Sequence, residues 1–179
     1  TVLANGALAS DSSGEGEIRK NMIEGRVIEC IVAMPSQLFY ATGIPCSLWI
    51  MRRNRDEKIR NKILFIDARN LGSMIDRKVR ELTEEDILKI ATTYHNWRNN
   101  SNYEDELGFC KSATIDEVKE NNYALTPGRY VGTPKDEDDG IPFEEKMKTL
   151  TTELSEQLKE EKTLNKELKR VLGAIGYAI

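Results

Sequence analysis

Three short runs constrain this chain more than any other feature. Ile28–Met34, Cys46–Met51 and Lys62–Asp67 are nearly continuous apolar sequence. A strand with one wet face alternates apolar and polar residues, whereas a continuous run needs cover on both faces. The chain is therefore read as an α/β protein whose sheet lies between layers of helix. Thr1–Gly6 reads as a further strand already in progress, closed by an Asn-Gly turn, and with no initiating methionine it is expected to be part of something longer. A polar stretch, Ser10–Gly16, leads into a short helix, Glu17–Glu24. That helix carries Ile18, Met22 and Ile23 on one side, with Gly25 as its stop. The order strand, helix, strand implies a parallel crossover. The connection from Met34 to Cys46, about eleven residues, is short for a second helical crossover, so antiparallel pairing is expected there.

Downstream the pattern turns helical. Thr83 caps a helix running to about Trp97, with Glu84, Glu85 and Asp86 in its first turn. Ile87, Ile90, Ala91, Tyr94 and Trp97 are its expected buried stripe. Thr114-Ile115-Asp116-Glu117 has the form of a capping box for another short helix, and Tyr123–Val131 is an irregular Pro/Gly segment. The expected organisation is a sheet domain over residues 1–134, an acidic linker over 135–140 and a helical tail over 141–179. In the tail Phe143, Met147, Leu150, Leu154, Leu158, Leu164, Leu168 and Leu172 recur at near-helical spacing, but Gln157 and Glu161 interrupt the seam. A clean homodimeric zipper tolerates such breaks poorly, and a helix with so narrow a stripe needs a partner surface.

Composition removes several functions. A net charge of −4 argues against a wholly electrostatic nucleic-acid binder, though not against a local basic surface. Cys30, Cys46 and Cys110 are odd in number and far apart, which fits small buried hydrophobes in a reducing cytoplasm. His95 is the one histidine, so no histidine-based metal centre is expected, and it is read as a surface residue. No apolar run is long enough for a membrane span. Gly14-Glu15-Gly16 lacks a third glycine and carries acids where a phosphate would sit, so it is not read as a dinucleotide loop. Asp67 is read as a capping or turn carboxylate. Arg52, Arg53, Arg55, Lys58, Arg60 and Lys62 form either a solvated turn or a protruding, phosphate-contacting hairpin. Phe39 and Tyr40, in the loop between two strands, either cap the core or offer a stacking face for a planar ligand.

Several segments together resemble a known family. Val2-Leu3-Ala4-Asn5-Gly6-Ala7-Leu8, Gly16-Glu17-Ile18-Arg19-Lys20 and Leu38-Phe39-Tyr40-Ala41-Thr42-Gly43-Ile44-Pro45 occur in the order and spacing of the modification subunit of type I restriction–modification enzymes. Lys62–Arg69, Arg80–Ile87, Leu125–Val131 and Gly173–Tyr177 continue the resemblance over essentially the whole chain, with Ala4 standing where the family usually has proline. The resemblance implies the distal half of a Rossmann-like methyltransferase sheet, mixed, with its last strand antiparallel, followed by a helical tail. It implies methyl transfer from S-adenosylmethionine to the exocyclic amine of a flipped-out adenine in DNA. The family's glycine-rich cofactor motif and Asn-Pro-Pro-aromatic motif precede this segment, and the chain contains neither Pro-Pro nor Asn-Pro. No catalytic residue is therefore assigned here, and most of the cofactor site is expected elsewhere. Phe39, with Tyr40 second, takes the place of the family's base-stacking aromatic. Arg52, Arg53 and Arg55 are the DNA-contact candidates. The implied partners are DNA, the specificity subunit and the restriction subunit, with self-association through the tail also open. The competing expectation is a non-enzymatic α/β module that displays an assembly helix.

Overall fold

A computed structural model describes residues 1–133, 142–174 and 176–177. The chain divides into two units, Thr1–Lys135 and Asp136–Ile179. The expected acidic linker over 135–140, and the expected helix start at Ile141, lie outside the described residues.

In the first unit the elements run β1 (Val2–Ala4), α1 (Glu15–Glu24), β2 (Ile28–Ala33), β3 (Cys46–Met51), α2 (Glu57–Arg60), β4 (Lys62–Asp67), β5 (Ser73–Met74), β6 (Arg80–Glu81), α3 (Glu84–Arg98), β7 (Cys110–Thr114) and α4 (Ile115–Glu120). Five strands form one mixed sheet in the order β1-β3-β2-β4-β7. β3 pairs antiparallel with both β1 and β2, and β2 pairs parallel with β4. β1, β2 and β4 therefore run one way, while β3 and β7 run the other. The antiparallel pairing of β2 with β3 is as the short connection requires. β1 and β2 share a direction, as the helical crossover demands, but β3 stands between them.

Both faces of the sheet are covered, which is why the apolar runs are continuous. On one face Ile31, Trp49, Ile63 and Phe65 pack with Leu8, Ile23, Val118, Leu125 and Tyr130. On the other, Cys30, Val32, Leu64 and Ile66 pack with Ile59, Trp97 and Phe109. The three cysteines are buried and unbridged. A β-bulge between Ile28 and Cys30 shifts the register of β2. It explains why Ile28 and Ile31, an odd number of residues apart, face the same core. It also buries the Glu29 side chain, 1% exposed, whose Oε1 accepts from the Tyr94 hydroxyl at 3.2 Å with Arg98 Nε 3.9 Å away.

Thr83 and Thr114 both form complete capping boxes, with Asp86 and Glu117. The buried stripe of α3 is narrower than expected. Trp97 is buried, Ile90 and Tyr94 are half-buried against the core, but Ile87 is exposed. In the second unit α5 (Phe143–Ala174) is a continuous helix of 32 residues, with none buried among those described. Phe143, Met147, Leu150, Leu154, Leu158, Leu164 and Leu168 are all exposed.

Candidate functional site

The sheet has two distinct ends. β1, β2 and β4 all finish on one rung, where Ala4 stands opposite Cys46, Ala33 opposite Ser47, and Ala33 beside Asp67. In open sheets with parallel strands, ligands bind beyond the carboxyl ends of the strands. The loop Met34–Pro45 springs from this rung. Met34 N–H donates to Cys46 O at its root, and Phe39–Thr42 close a tight turn at its tip, Thr42 N–H donating to Phe39 O at 3.3 Å. Leu38 tucks back against the core. Phe39 and Tyr40 do not: Phe39 is 47% exposed and Tyr40 90%. They are not core caps. The turn holds two aromatic faces in solvent at the carboxyl end of β2.

Asp67, ending β4, forms the floor beside that loop. Its carboxylate accepts from Arg69 Nε at 2.8 Å and Arg69 NH2 at 2.6 Å, and from the Arg69 backbone N–H at 3.2 Å. The expected turn role is what the geometry shows. Gly128 closes over this pair. A Cβ there would stand 2.7 Å from the Arg69 guanidinium and 3.4 Å from Asp67 Oδ2, so a larger residue would push the end of the Arg69 side chain aside. Tyr130 follows, stacked on Phe65 with ring centroids 3.9 Å apart and planes 5° from parallel. Its hydroxyl donates to Ala124 O, and burial pushes the phenol up to about 12. Leu125–Val131 is thus a buttress under the carboxyl end of β4. At the end of β1, Asn5 Oδ1 is buried without a hydrogen-bond partner among the described residues.

The candidate phosphate contacts lie at the opposite end. Residues 52–62 are not a hairpin, because β3 and β4 do not pair and β2 stands between them. They form a strap across the start of β2, containing α2. Arg52 and Arg53 are exposed on it. Arg55 is not, at 8% exposure. Its NH1 donates to Ile28 O at 2.7 Å and Arg26 O at 3.4 Å, and its NH2 to Ile59 O at 2.7 Å and to Lys62 O. Burial lowers its guanidinium from the usual value, while the Glu29 carboxylate opposes that shift. The reading of Arg55 as a DNA contact is corrected: carbonyls left over at the starts of β2 and β4 draw it inward. The sequence shows the cationic run but not which side chain those carbonyls claim.

His95 is exposed, as read, and no group of residues able to hold a metal ion occurs among those described. The Gly14-Glu15-Gly16 turn packs against Asp11. A Cβ on Gly16 would overlap the Asp11 carboxylate, which Arg19 NH2 holds at 3.0 Å. No helix among the described residues is long and apolar enough to cross a membrane.

Comparison with known proteins identifies the family. A family model described as N-6 DNA Methylase matches residues 1–139. The HindI type I restriction enzyme methylase subunit of Haemophilus influenzae is 51% identical over 98% of this chain, which spans 39% of that relative's length. The MjaIX type I methylase subunit of Methanocaldococcus jannaschii is 47% identical over 98% of the chain, which spans 32% of that relative. The crystal structure of a type I restriction-modification methyltransferase subunit from Streptococcus thermophilus superposes with a TM-score of 0.64 at 32% identity, over 74% of this chain and 26% of that one.

Proposed function

The chain belongs to the N-6 DNA methylase family, and from that premise we propose that it is the C-terminal part of a type I restriction–modification methyltransferase subunit. The reaction of the whole protein is transfer of a methyl group from S-adenosylmethionine to the exocyclic amine of adenine in DNA. Most of the S-adenosylmethionine site belongs to the part of the whole protein outside this chain. Its own share is to hold the base. A flipped adenine loses stacking worth a few kcal/mol, and an aromatic face restores part of it. Phe39, with Tyr40 second, supplies that face.

The observation that carries the reading is the placement of this exposed aromatic turn at the carboxyl ends of β2 and β4, beside the Asp67–Arg69 floor. The strand order supports the distal half of a Rossmann-like sheet, because β3 enters antiparallel between two strands of common direction. Arg52 and Arg53, at the other end, serve as phosphate contacts on a stretch of DNA away from the flipped base. Changing both to Glu weakens binding and flattens its salt dependence. The exposed apolar stripe of α5 is a docking face for the specificity subunit, in an assembly that includes the restriction subunit and works in the cytoplasm.

The decisive test is methyl transfer by the full-length protein on its cognate DNA. Phe39→Ala lowers the rate about tenfold to a hundredfold, the equivalent of a lost base–aromatic stack. Phe39→Trp keeps most activity. Wild-type rates from the alanine variant would remove Phe39 from the site.

A further inference from the structure

We infer that the β5–β6 hairpin grips the phosphate backbone of duplex DNA beside the base-holding loop, through Arg77 and Lys78 at its tip. The inference rests on the methyltransferase reading above and extends it to an element that reading does not use.

Four observations converge on this hairpin. It leaves the sheet at the carboxyl end of β4, the same end as the aromatic loop, and the two are joined: Arg80 N–H donates to Gln37 O at 2.8 Å, two residues before Phe39. Its base is rigid. Arg80 NH1 donates to Leu71 O at 3.0 Å and Gly72 O at 3.1 Å, Gly72 N–H donates to Asp86 Oδ2 at 3.1 Å, and Val79 is buried. Gly72 holds a φ of +79° where a Cβ would stand 2.7 Å from Glu81 O, so the turn into β5 is built tightly. Its tip carries the cations outward. Arg77 and Lys78 are exposed, and neither side chain forms an ion pair among the described residues, although Asp76 precedes them and Glu81 ends β6. Exposed Met74 and Ile75 precede them on the way into the tip.

The geometry suits nucleic acid. A two-stranded ribbon fits the major groove, and Arg and Lys at its tip reach phosphate oxygens. Arg77 lies three residues from Arg80, at most about 10 Å along an extended chain. The tip therefore falls within a few nucleotides of a base held at Phe39. A base drawn out of its stack needs the flanking backbone held, and fixed cations beside the stacking face do that.

The test uses the full-length subunit in its native complex and a mixed-sequence DNA duplex, read by fluorescence anisotropy over a salt series, with methyl transfer measured on the same preparations. R77Q/K78Q should lower affinity about tenfold near 0.1 M salt and reduce the slope of log K against log salt by about two. The charge-conserving R77K/K78R should keep the wild-type slope, which separates lost charge from lost fold. An unchanged slope in R77Q/K78Q overturns the inference. So does an unchanged slope with loss of a protein subunit on gel filtration, which would make the hairpin a protein contact. Wild-type complex that binds DNA but transfers no methyl group would sink the methyltransferase reading. The slope difference would then still decide the hairpin.

Discussion

Two basic connections leave the sheet at opposite ends, and they treat their arginines in opposite ways. In the strap 52–62 the central arginine, Arg55, turns inward to four backbone carbonyls. In the hairpin at 72–81 it is Arg80 that turns inward, while Arg77 and Lys78 stay in water. Residue type does not separate these outcomes. The supply of unpaired carbonyls does. Strand starts and tight turns leave backbone oxygens that must find donors, and a guanidinium with five N–H groups satisfies several at once. Arg19 repeats the pattern: it is buried, with its Nε donating to Tyr123 O at 2.8 Å and NH1 to Ser10 O at 2.7 Å. A cation is available to a ligand only where the protein's own backbone does not claim it.

The strongest challenge to that contrast is Arg55→Ala. It strands buried carbonyls and removes the positive charge facing buried Glu29, and should cost about 3–5 kcal/mol in urea unfolding. If stability holds and only DNA affinity falls, Arg55 is a ligand contact after all and the contrast breaks. Gly128→Ala sharpens the picture at the carboxyl end. The new methyl displaces the Arg69 guanidinium from Asp67, and a loss of about 1 kcal/mol is expected in the same measurement. A null result would show that Arg69 swings clear without consequence.

Acid titration probes the helix that anchors the hairpin. The N–H and hydroxyl of Thr83 hold the Asp86 carboxyl below its ordinary range, and the N–H of Gly72 adds to this. The Thr114 N–H does the same for Glu117. Both folded-state values lie below the unfolded ones. The stabilisation is therefore complete above the ordinary carboxylate range and is lost as pH falls through the depressed values. Circular dichroism should show helix signal holding down to about pH 4 and declining below it. Asp86→Asn and Glu117→Gln together should remove that acid step, and a step of unchanged size would assign it to other carboxylates. The smallest effect on stability belongs to Phe39→Ala. An exposed ring at a turn tip should cost no more than about 0.5 kcal/mol when truncated. A larger loss would return Phe39 to the core.

The sequence disclosed what periodicity and capping chemistry encode. β2, β3 and β4 announced themselves as apolar runs, and Thr83 and Thr114 announced their helices. β7 did not. Cys-Lys-Ser-Ala-Thr is short and polar, and it is a strand because it completes the sheet beside β4. β5 and β6 are two residues each, too brief for any pattern to register. The insertion of β3 between β1 and β2 is a long-range choice that no local signal carries. At the site, the Phe39–Tyr40 loop was legible as a candidate, but its exposure was not. The role of Arg55 was misread because a run of cations looks the same whether or not carbonyls lie beneath it. The bulge at Glu29 was invisible, since one extra residue in a buried strand changes facing without changing composition.

The outer edge of β1 has a consequence for handling this polypeptide by itself. β1 pairs only with β3 among the described strands, so its other side presents unpaired N–H and C=O groups, with Val2 and Leu3 partly in water. No lysine, proline or bulge blunts this edge, and its length of three residues is what limits it as a template for a foreign strand. In concentrated solution any edge-to-edge pairing here would be confined to those few residues.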